Sequence, residues 1–78
     1  MLRNDIIRFI QDNLLHSNDA IDPEESLIDR GLIDSIGLMQ LLGFLESSTG
    51  VRVPDRMVTP DNFQSVTAME RMVEQLKA

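Results

Sequence analysis

Apolar residues along this chain return at intervals of three and four in three separate blocks, and no stretch keeps the period-two alternation of a strand surface. That spacing confines the chain to helices whose apolar stripes must bury one another. In the first block Ile6, Ile7, Ile10 and Leu14 share one arc, while Asp5, Arg8, Asp12 and His16 collect opposite it. A helix over about Asn4 to His16 is predicted, with Arg8–Asp12 and Asp12–His16 as i,i+4 pairs. The second block opens at Asp34, a good N-cap, and runs from Ser35 to about Thr49, with Gly50 as the stop. Its inward arc is predicted to hold Leu38, Leu41, Leu42 and Leu45. The last helix starts near Ser65 and turns Val66, Met69, Met72, Val73 and Leu76 inward, leaving Glu70, Arg71, Glu74 and Lys77 outside. Before it, Thr59-Pro60-Asp61-Asn62 has the N-cap-then-Pro signature of one short helix, with Phe63 turned inward. The expected fold is all-α: a small four-helix bundle of three long helices and one short, in a single domain over residues 1–78.

A long polar connection, Ser17 to Asp34, separates the first two helices, and connections of this length are often functional. Within it, Asp22-Pro23-Glu24-Glu25 reads as a capped helical turn. Ile21, Leu27, Ile28, Leu32 and Ile33 are expected to pin the loop onto the helices. The segment also concentrates charge. Six of the 13 acidic residues lie in it beside one Arg, so it accounts for most of the net charge of -6.

Composition removes whole classes of function. Without Cys there is no disulfide framework, thiolate metal site or thiol nucleophile. One His, His16, excludes a multi-histidine metal site, and its place near Asp12 and the helix C-terminus suits a structural role. The acidic balance argues against a nucleic-acid backbone as partner. No apolar run approaches the ~20 residues of a membrane span, and the N-terminus lacks signal-peptide architecture. The acidic loop lacks the alternating spacing and central glycine of a calcium-binding loop. Arg52 and Arg56 read as solvated loop residues, Met69 and Met72 as core, and Met57 as ambiguous. A cytoplasmic, non-enzymatic, monomeric domain is expected.

The second helix does not fit a plain bundle. Ile36 and Met39 fall far from its inward arc, and Phe44 lies on another flank. Around Ile36 and Met39 the outer face holds Gln40, Gly43 and Ser47, with Glu46 alone charged near its edge. A solvated face normally carries charge, so an apolar, uncharged one marks a contact surface. At the start of the same helix, Ser35 sits where unpaired backbone N–H groups and the helix dipole favour a phosphate.

The stretch Gly31-Leu32-Ile33-Asp34-Ser35-Ile36 resembles the phosphopantetheine attachment motif of acyl and peptidyl carrier proteins, whose core is Asp-Ser-Leu at the start of the second helix. The similarity extends along nearly the whole chain: the helix lengths, the long first loop with Pro23 and Ser26-Leu27, Val53-Pro54 before the short helix, and Asn62-Phe63 with Ser65-Val66 leading into the last. The resemblance implies that Ser35 bears 4′-phosphopantetheine, that Asp34 is the motif acid, and that Ile36, Met39, Gln40 and Gly43 meet partner enzymes. The implied partners are a phosphopantetheinyl transferase, an adenylating acyl or aminoacyl ligase, and downstream acyl-transfer or condensing enzymes. Fatty-acid-type carriers usually have carboxylates two and five residues after the serine, where this chain has Gly37 and Gln40. Asp-Ser-Ile-Gly is closer to stand-alone aminoacyl carriers, such as the D-alanyl carrier. A discrete carrier of an amino acid or unusual acyl group is therefore favoured over a fatty-acid-synthesis carrier. The alternative of another class is an unmodified helical interaction module using the Ile36–Met39 face.

Overall fold

The computed structural model describes residues 2–77. Helix α1 (Leu2–Ile10) continues through a π-helical turn, Gln11–Leu15, into the long loop. Helix α2 spans Ser35–Thr49, a 3₁₀ turn occupies Asp55–Met57, and α3 (Pro60–Phe63) leads into α4 (Val66–Lys77). The bundle closes on Ile6 and Ile10 of α1, Leu41 and Leu45 of α2, Phe63 of α3, and Val66 and Met69 of α4, all at 0% exposure. Each apolar stripe is thereby covered by the others, as the spacing required. Arg3 Nε reaches Glu70 Oε1 at 2.8 Å and ties α1 to α4 at the rim. No helix among the described residues is long and apolar enough to cross a membrane.

The cap signals in the sequence act where they stand. Thr59 accepts the Asn62 N–H on its hydroxyl at 3.3 Å and starts α3 with Pro60 in the first turn. The Ser65 hydroxyl accepts the Ala68 N–H at 3.1 Å at the head of α4. Gly50 ends α2 in the left-handed region (φ 72°), its N–H donating to the Glu46 carbonyl.

Two expectations need correction. The Arg8–Asp12 and Asp12–His16 ion pairs do not form: all three residues are exposed and belong to none of the ion pairs among the described residues. Exposed pairs gain too little to hold two side chains together. In addition, the π turn replaces the i+4 register with i+5 over Gln11–Leu15. His16 ends that turn in the left-handed conformation (φ 55°). In α2 the buried line is Gly37, Leu41 and Leu45, with Leu38 and Leu42 only half-buried. At about 100° per residue, the inward face is turned by roughly 50° from the Leu-centred arc.

The long loop is ordered by short-range bonds and pinned to the end of the bundle. Glu25 Oε1 accepts the Asp22 N–H and Asp22 Oδ1 accepts the Glu24 N–H, each at 2.9 Å, so the capping box forms although only one turn follows it. Thr67 of α4 donates its N–H to the Pro23 carbonyl at 3.0 Å and its hydroxyl to Glu24. Leu27, fully buried, donates its N–H to the Gln64 carbonyl at 2.6 Å. A second turn, Leu27–Arg30, then closes as a Schellman motif. Leu32 N–H reaches the Leu27 carbonyl and Gly31 N–H the Ile28 carbonyl, both at 3.0 Å, with Gly31 at φ 75°. Ile21 and Leu27 are buried and Leu32 and Ile33 half-buried, as expected, whereas Ile28 stays 36% exposed.

Two glycines with open space around them separate backbone from packing effects. No heavy atom lies within 4 Å of a Cβ built at Gly31 or at Gly43. Gly31→Ala should destabilise by about 1–2 kcal/mol, because an L-residue is forced left-handed. Gly43→Ala, in helical φ, should stabilise by up to about 1 kcal/mol through helix propensity. Urea unfolding followed by circular dichroism would show midpoints moving in opposite directions.

Candidate functional site at the start of the second helix

Two chain segments converge on the first turn of α2. The Schellman turn at Gly31 leads the chain through Leu32 and Ile33 to Asp34, which enters the helix in extended form at φ -111° and ψ -170°. Asp34 then caps the helix twice over. Its Oδ1 accepts the Gly37 N–H at 2.7 Å, and its carbonyl accepts the Leu38 N–H at 2.8 Å. Because Asp34 supplies the cap, the hydroxyl of Ser35 is not consumed by it. Ser35 is exposed at the first helical position.

Beside Ser35 lies an open cleft of about 240 Å³ between the loop, α2 and the start of α3. Ile28, Ile33, Leu38 and Pro60 make its apolar walls, and Asp34 and Ser35 its polar edge. The helical period turns Leu38 inward, and Ile28 and Ile33 are expected to pin the loop onto the helices. Rotation of α2 brings Leu38 to the cleft edge, and the loop leaves Ile28 facing it. No motif in the sequence signals this cleft; its only trace is a surplus of apolar residues in a polar loop.

The outer face of α2 is as apolar as its pattern predicts. Ile36 is 70% exposed and Met39 61% exposed. Gln40, Gly43 and Ser47 are exposed around them, so the patch carries no charge. Gly37 does not belong to it: this glycine is buried beneath the first turn. Phe44 leaves the patch altogether and stacks on Phe9 of α1, ring centroids 4.5 Å apart. The two rings floor a separate depression bordered by Asp5, Arg8, Asp12 and Asn13, which does not include Ser35. Arg52 and Arg56 are exposed, Arg52 with its Nε 4.0 Å from Glu46. Met57 is half-buried and His16 exposed.

The family model described as a phosphopantetheine attachment site matches residues 4–73. Over 64 residues, 82% of this chain and 68% of the relative, the chain is 38% identical to aminoacyl carrier protein 2 of Bradyrhizobium diazoefficiens. It is 35% identical to the D-alanyl carrier protein of Streptococcus pyogenes over 54 residues, 69% of this chain and 68% of that one. Among solved structures it superposes with a TM-score of 0.74 and 31% identity on the carrier-protein chain of a Bradyrhizobium japonicum complex, covering 96% of this chain and 99% of that chain. That crystal holds a glycine:carrier-protein ligase with its cognate carrier protein and an analogue of glycyl adenylate. The chain therefore belongs to the phosphopantetheine attachment-site family and is a carrier protein of the aminoacyl and acyl transfer kind, holding covalent 4′-phosphopantetheine as its prosthetic group.

Proposed function

We propose that Ser35 is the residue that bears the prosthetic arm and that the arm carries an amino acid delivered by an adenylating ligase. The observation that carries this reading is the exposed hydroxyl at the head of a 15-residue helix whose cap comes from its neighbour Asp34. The surroundings fit such an arm. A phosphodiester on the Ser35 hydroxyl would lie at the positive end of the α2 dipole. The cleft of Ile28, Ile33, Leu38 and Pro60 offers apolar cover beside it. When bound, the arm supplies a terminal thiol, which holds the cargo as a thioester. The chain has no Cys, so that thiol is the only one available for loading.

In this reading the domain catalyses no reaction of its own. It folds as one monomeric, cytoplasmic unit over residues 1–78. The short tether raises the effective concentration of its cargo at successive enzymes: a phosphopantetheinyl transferase first, then the ligase, then downstream acyl-transfer or condensing enzymes. Ile36, Met39, Gln40 and Gly43 form the surface those enzymes grip, and Asp34 is the acid they meet beside the serine. The amino acid cargo is favoured over a fatty acyl chain because the exposed face is uncharged at Gln40 and because aminoacyl and D-alanyl carriers stand among the relatives.

Two experiments test this reading. Incubated with coenzyme A and a broad-specificity phosphopantetheinyl transferase, the protein should gain one phosphopantetheine by intact-mass spectrometry, and Ser35→Ala should gain none. Failure of the wild type with several transferases would favour the unmodified interaction module instead. For the docking face, Met39→Glu should keep its helical circular dichroism while raising the KM for loading by the cognate ligase about tenfold, the effect of losing roughly 1.4 kcal/mol of contact. Loss of helicity in that variant would place Met39 in the core.

A further inference from the structure

Glycine inside a helix costs about 1 kcal/mol relative to alanine and, where it persists, has a packing or functional reason. Gly37 is the one buried glycine among the described residues, and it sits two positions after Ser35. A Cβ built there would meet Asp34 Oδ1 at 3.3 Å, the Leu14 Cδ2 methyl at 3.4 Å and the Leu32 carbonyl oxygen at 3.6 Å. Of the three, only the Asp34 approach is tighter than ordinary van der Waals contact. The Gly37 N–H is also the donor that holds the Asp34 carboxylate, at 2.7 Å. One residue thus donates to the cap and leaves room for the carboxylate that accepts from it.

We propose that Gly37 is a positioning residue for arm attachment: its missing side chain lets the Asp34 carboxylate close on the first turn of α2 and so fix the direction of the Ser35 hydroxyl. The inference rests on Ser35 being the attachment residue. It changes the meaning of the departure from fatty-acid-type carriers. The carboxylate two residues after the serine is not a charge missing from the docking face, because position 37 does not lie on that face. An aspartate at 37 would crowd the Asp34 carboxylate with its Cβ and set a second negative charge near the one that holds the cap. Of the two positions that distinguish this helix from an acidic one, only Gln40 lies where a partner can reach it.

Steady-state kinetics of a phosphopantetheinyl transferase acting on the full apo chain, with coenzyme A, would test this. Gly37→Ala obliges the Asp34 carboxylate to yield by a few tenths of an ångström, and should lower kcat about threefold with KM little changed. Gly37→Asp should lower kcat about tenfold or more, since sub-ångström displacement of a reacting group has effects of this order. Ser48→Asp puts the same charge on an exposed site of α2 and should match wild type, and Leu45→Ala controls for lowered stability at temperatures where it remains folded. Should Gly37→Asp fail to fold, Gly37→Ala decides the matter. Wild-type kcat in Gly37→Ala, or an equal kcat loss in Leu45→Ala, would overturn the proposal. A wild-type chain that accepts no arm would instead overturn the assignment of Ser35.

Discussion

The hydrogen bond from the Gly37 N–H to Asp34 Oδ1, at 2.7 Å, is the contact on which the site depends. A helix start leaves its first backbone donors without partners, and a side-chain acceptor at the N-cap removes one of them. Had Ser35 been the cap, its hydroxyl would be occupied and turned back toward the helix. With Asp34 as cap, the serine moves one position forward, into the helix, and its side chain stands at the surface. The bond also demands a close approach under the first turn, and glycine at 37 permits it. Identity at three positions, Asp34, Ser35 and Gly37, is therefore one structural device.

The acidity of the long loop looks different once its bonds are traced. Asp22 and Glu25 hold the capping box, Glu25 also pairs with Arg30 at 3.0 Å, and Glu24 accepts from Thr67. Much of the negative charge is engaged in shaping a segment that burial fixes only at Ile21 and Leu27. That segment then delivers the chain in extended form to the head of α2. The outer face of α2 carries none of this charge, so Ser35 lies between an acidic loop and an apolar helix surface.

Helix positions, the caps at Asp34 and Thr59, the stop at Gly50 and the exposure of Ile36 and Met39 were all readable from the residues. These features are local: a period of 3.6 and the side-chain oxygens of Ser, Thr and Asp act within one turn of where they occur. The π turn at Gln11–Leu15 was not readable, because nothing in Gln-Asp-Asn-Leu-Leu separates an i+5 turn from an i+4 one. The buried line of α2 was placed too far toward Leu38 and Leu42 for a related reason. Glycine contributes nothing to an apolar count, yet Gly37 is buried and draws the inward face toward itself.

By itself the sequence determined that the chain is helical, where each helix begins, and that an exposed serine follows a capping aspartate. Those outcomes depend on neighbours within about four residues, whose contacts exist in any fold that forms the helix. Only the tertiary structure decided that Ile28, Ile33, Leu38 and Pro60 wall a cleft beside Ser35, that Phe44 stacks on Phe9, and that Gly37 lies beside Leu14. Each of these joins residues far apart in the chain. Such contacts depend on the rotation and approach of whole helices, set by how all the buried side chains pack together.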